Sequence, residues 1–115
     1  MSHEFARLSN LGRFAAPTAI AALAQRLEDD PTRLAEMKLY YEKIIDTLDE
    51  THDEHVTLDA LALFEALALT LAQLIAALPD AERVGVLAYV TARAEHHAPE
   101  FVAAGKAAAH VVEGA

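Results

Sequence analysis

Residues 58–79 read Leu-Asp-Ala-Leu-Ala-Leu-Phe-Glu-Ala-Leu-Ala-Leu-Thr-Leu-Ala-Gln-Leu-Ile-Ala-Ala-Leu-Pro, and Glu65 is the only charge between Asp59 and Asp80. Leu and Ala are the strongest uncharged helix formers, and no residue that breaks a helix interrupts them before Pro79. Spaced around a helix at roughly 100° per residue, Leu63, Phe64, Leu67, Leu71, Leu74, Ile75 and Leu78 make one broad bulky face. Asp59, Ala62, Ala66, Thr70, Gln73 and Ala77 make a small, mildly polar one. The run from Ala60 to Leu78 has the length of a membrane span. Its flank argues otherwise. Asp49, Glu50, Asp53, Glu54 and Asp59 precede it, where anchors carry Lys or Arg. The pattern predicts a helix over 57–78 buried at the centre of a bundle, with no membrane contact.

On its N-terminal side lies the cleanest periodicity in the chain. Leu34, Met37, Tyr41, Ile44 and Leu48 are three, four, three and four apart, while Glu36, Lys38, Glu42, Lys43 and Asp46 occupy other faces. That is the a/d spacing of a helix seam. Asp30 as cap and Pro31 in the first turn open this helix, predicted over 31–51. Before it, Ile20, Leu23 and Leu27 mark a helix over 18–29, and Phe5, Leu8 and Leu11 a short one over 3–11. After Pro79, Asp80 and Glu82 open a helix over 80–97, with Val84, Leu87, Ala88, Thr91 and Ala94 inward. Pro99 breaks it and starts a last helix over 99–112. The expected fold is all-α: a compact bundle of five to six helices, one domain over 1–115, with 58–78 at its centre.

The 115-residue chain is 54% hydrophobic and only 6% aromatic, with four Gly and four Pro, which excludes disorder and disfavours a β-sandwich or barrel. It has no cysteine, so disulfides, thiolate catalysis and cysteinyl metal sites are absent. A formal charge of −9 opposes direct nucleic-acid binding, which depends on Lys and Arg neutralising phosphates. Residues 1–24 loosely follow a signal-peptide plan, but Glu4, Pro17 and Thr18 disrupt it, so the expected location is cytoplasmic.

Chemistry-bearing motifs are few. There is no nucleophile elbow and no glycine-rich phosphate loop, since the glycines stand alone at 12, 85, 105 and 114. Asp49, His52 and His55 have a three-residue spacing that puts them on one side of a continuing helix, a possible divalent-metal set. The chain contains no Glu-x-x-His, the motif of di-iron bundles, and an acidic solvated turn explains the same residues. Glu65 sits among Leu61, Ala62, Ala68 and Leu69, which means a wet edge or a buried pair. His97 borders the apolar side of its helix, on the row of Val86, Val90 and Arg93, and fits a boundary residue near the helix end.

Missing catalytic constellations and abundant apolar faces point to a non-catalytic helical interaction module acting through a protein partner, without a cofactor. A small metal-binding protein or enzyme subunit using His52, His55 and nearby carboxylates is the alternative. A second is an acidic decoy blocking a nucleic-acid-binding protein. The apolar surplus predicts a homodimer, with Tyr40 and Ile45 beside the seam as interface residues.

Overall fold

A computed structural model of the protein describes residues 4–11, 16–54 and 59–114, and their side chains at 4–11, 17–51 and 59–105. The described residues are all-α, with five helices and no strand. They are α1 (Glu4–Asn10), α2 (Ala16–Asp29), α3 (Pro31–Glu54), α4 (Ala60–Ala76) and α5 (Asp80–Gly114).

Local chemistry sets the helix starts. Asp30 accepts from the backbone N–H of Thr32 at 3.1 Å and of Arg33 at 3.2 Å, and Pro31 follows as the first residue of α3. Two of the four orphan donors of that terminus are satisfied by one carboxylate. Asp59, in extended conformation, caps α4 by accepting from Leu61 N–H at 3.2 Å. At the other end of α4, the N–H groups of Ala77 and Leu78 return to the carbonyls of Gln73 and Ile75 before Pro79 stops the helix.

The first four helices differ from the expected ranges by up to three residues at their ends, and α5 begins at Asp80 as expected, with Asp80 paired to Arg83 one turn on. Pro99 does not end the helix, which continues to Gly114. Proline removes a single ladder hydrogen bond, here the one to the Glu95 carbonyl. Good helix formers on both sides, Ala92 to Ala98 and Ala103 to Ala109, favour carrying the helix across.

The described chain divides into two compact units. One comprises Met1–Ile20 with Asp80–Ala115, the other Ala21–Pro79.

In the first unit α1 lies on α5. Leu8 is buried, and Phe5 meets Tyr89 edge to face, ring centroids 5.7 Å apart. Edge-to-face pairs at such distances are favourable because a ring's positive edge meets a negative face. The packed side of α5 runs through Glu82, Gly85, Val86 and Tyr89. This corrects the expected face of Val84 and Leu87, both of which are exposed. Gly85 is the reason. A Cβ built there would run into the Phe5 carbonyl and come within 2.9 Å of Ser9 Oγ. Bulk defines a face only where the neighbour has room for it, and α1 approaches where the side chain is missing. Ser9 fastens the approach: its hydroxyl donates to the Phe5 carbonyl at 3.0 Å and accepts from Gly85 N–H at 2.7 Å. Glu82 is buried in the first turn of α5, where the helix dipole favours an acid.

The second unit contains α3 and α4. Here the expected central element is not found: no residue of α4 is buried. An apolar row buries itself only if another helix lies along it. Among the described residues of the whole chain, the buried apolar side chains are Leu8, Ile20 and Ala24.

Candidate interaction face on the third and fourth helices

The sequence places bulky residues on α3 in one broad arc. Tyr40 and Ile45 border the seam of Leu34, Met37, Tyr41, Ile44 and Leu48 on its two sides, because five residues apart on a helix are about 140° apart. Leu34 and Leu48, at the ends of the seam, are half-buried. Met37, Tyr41 and Ile44 between them are exposed, as are Tyr40, at 70%, and Ile45. Both sequence-predicted interface residues therefore stand on the surface, beside the seam.

On α4 the row Leu63, Leu71, Ile75 and Leu78 is half-buried. Leu61, Phe64, Leu69 and Leu74 are 60% exposed or more, with Leu61 highest at 75%. These four lie at different angles, so α4 shows apolar surface nearly all round. Its polar residues do little to wet it. Thr70 donates its hydroxyl back to the Ala66 carbonyl at 2.9 Å, which leaves its methyl outward. Thr47 and Thr51 make the same return bonds on α3, to Lys43 and Thr47. Glu65 is exposed.

The histidines sort differently from the sequence expectation. Asp49 is exposed near the C-terminal end of α3, and the backbone of His52 continues that helix. The His52 side chain and all of His55 lie outside the described residues. The donors that the structure does bring together are on α5. His96, His97 and Glu100 each place a ligand atom within 4.8 Å of the others, all exposed. His97 Nδ1 is 4.0 Å from Glu100 Oε2, and Arg93 Nη2 lies 3.2 Å from His97 Nε2. The imidazole is thus held from both sides, by a cation four residues before it and a carboxylate three residues after it. The signal that could have found this group is the spacing itself, since residues three and four apart share a helix face. A guanidinium at one ring nitrogen opposes a metal cation nearby, because like charges repel most where neither is screened by a ligand shell.

Comparison with family models, curated proteins and solved structures gives no match for this chain.

Proposed function

We propose that this chain is a non-catalytic helical interaction module that acts through a protein partner seated on the apolar faces of α3 and α4. One observation carries the reading. Seven large apolar side chains of these helices, Leu39, Tyr40, Ile44, Leu61, Phe64, Leu69 and Leu74, lie more than half exposed. Contiguous apolar surface beyond a few hundred Å² is uncommon on soluble monomers and marks an interaction site. A lipid bilayer is the other apolar environment that such a face could enter. Among the described residues, no helix is long and apolar enough to cross one. The aromatic residues Tyr40, Tyr41 and Phe64 supply the anchors that protein interfaces favour.

Photo-cross-linking tests it. A benzophenone side chain placed at Tyr40 or Phe64 is expected to give a protein adduct in cells. The same group at Gln25, an exposed position on α2, serves as the control. Adducts absent from both apolar positions would overturn the reading.

Divalent-metal binding is the second reading. What favours it is the convergence of His96, His97 and Glu100, rather than the Asp49, His52 and His55 set. Arg93 beside His97 places it second.

A further inference from the structure

We infer that the occupant of the α3 face is a second copy of this chain, paired antiparallel along α3 about a two-fold axis at Tyr41. This rests on the interaction-module reading and names its partner.

Exposure is the first argument. On α3 alone Met37, Leu39, Tyr40, Tyr41, Ile44 and Ile45 are exposed. Obligate subunit interfaces are the apolar ones, resembling a domain core cut in half, whereas transient interfaces are about as polar as the rest of a protein surface.

Symmetry of the seam is the second. Leu34 and Leu48 stand seven residues either side of Tyr41, and Met37 and Ile45 stand four either side. Reversing the helix about Tyr41 therefore lays Leu34 on Leu48 of the partner subunit and Met37 against Ile45 of the partner subunit. At these two spacings the bulky positions match their own reverse, as a two-fold, self-complementary interface requires, while Ile44 meets the apolar stem of Lys38 of the partner subunit.

Charge is the third and fixes the direction. N-terminal to Tyr41 α3 carries Arg33 and Lys38 with Glu36, a net positive half. C-terminal to Tyr41, Lys43 is outweighed by Glu42, Asp46, Asp49 and Glu50. Parallel pairing would set the two acidic ends side by side. Antiparallel pairing sets each acidic end beside the partner's basic end and its positive helix terminus. Arg33 then lies across from Asp49 of the partner subunit.

The test is made on the full chain. Light scattering is expected to give a mass of two chains, falling to one in Ile45→Glu and Tyr40→Glu. A mass of one chain that does not change with concentration would overturn the proposal, as would a mass above two. In that event, adducts from Tyr40 or Phe64 to another protein would leave the interaction-module reading standing, whereas no adduct at all would end both. Orientation is read by a short bismaleimide on single-cysteine variants, each carrying its only thiol. Leu34→Cys and Leu48→Cys are each expected to stay uncross-linked alone, because equivalent positions lie roughly 20 Å apart along the pair. Co-expressed, they are expected to yield a covalent two-chain species. Cross-linking of each variant with itself would overturn the antiparallel arrangement. The same two variants also keep the proposal open to test should Ile45→Glu fail to fold.

Discussion

The contact of α1 with α5 and the surface of α3 with α4 are built from opposite materials. The first is made by a seven-residue helix, a glycine and a serine hydroxyl. The second displays most of the exposed large apolar side chains among the described residues. Yet the packed pair is the first. Close approach came from a missing side chain at Gly85 and a fixed hydrogen bond at Ser9, whereas bulk without a partner stayed on the surface. Hydrophobic content measures how much burial a chain can gain, not where it gains it.

The largest expected effect separates the two regions directly. Leu8→Ala removes a buried side chain under α1 and should lower stability by about 2–3 kcal/mol, through lost transfer energy and the cavity left behind. Leu61→Ala, at a site three-quarters exposed, should change it by no more than about 0.5 kcal/mol. Urea denaturation of both variants checks this. Equal losses would erase the contrast.

Gly85→Ala sharpens the same comparison, because two effects oppose each other. Alanine gains about 0.8–1 kcal/mol of helix propensity over glycine. Its Cβ meets the Phe5 carbonyl, a backbone atom that can move only if α1 moves, and overpacking of this kind costs about 1–3 kcal/mol. The clash should win, and faster hydrogen exchange at the amides of α1 would record it. Gly105, with nothing near its Cβ position, should take alanine with a gain instead.

A smaller effect is expected at the caps. Asp59→Ala leaves the Leu61 N–H without its acceptor and should cost α4 about 1 kcal/mol, read as lost helicity by circular dichroism. Asp30→Ala should cost α3 somewhat more, since two N–H groups and Arg33 at 3.6 Å lose their partner. The smallest effect is reserved for zinc. With Arg93 at the ring nitrogen of His97, zinc should give no saturable rise in Tm. A rise abolished by His96→Ala would move metal binding to first place.

Most of the secondary structure was legible because helix starts are local chemistry. Asp30-Pro31 announces its helix in two residues, and the structure caps α3 there. Asp59, expected inside a helix starting at 57, instead caps α4 from outside it, because its side chain accepts from the Leu61 N–H. Pro99 misled for a related reason: its penalty is local, but the decision to continue the helix depends on residues beyond it. Of the site residues, Tyr40 and Ile45 could be placed beside a seam from spacing alone. His96 and Glu100 were equally readable as neighbours, but adjacency along the chain drew attention to Asp49, His52 and His55.

The sequence alone determined that the chain is helical, acidic and rich in apolar side chains. Those are sums over residues and periodicities within single elements, so no knowledge of neighbours is required. Which face of α5 is packed, and that α4 is not buried, were decided only by tertiary structure. Val84 and Leu87 look inward by composition, but the helix that would have covered them settled on Gly85. Burial belongs to pairs of surfaces, and a one-dimensional pattern records only one surface of each pair.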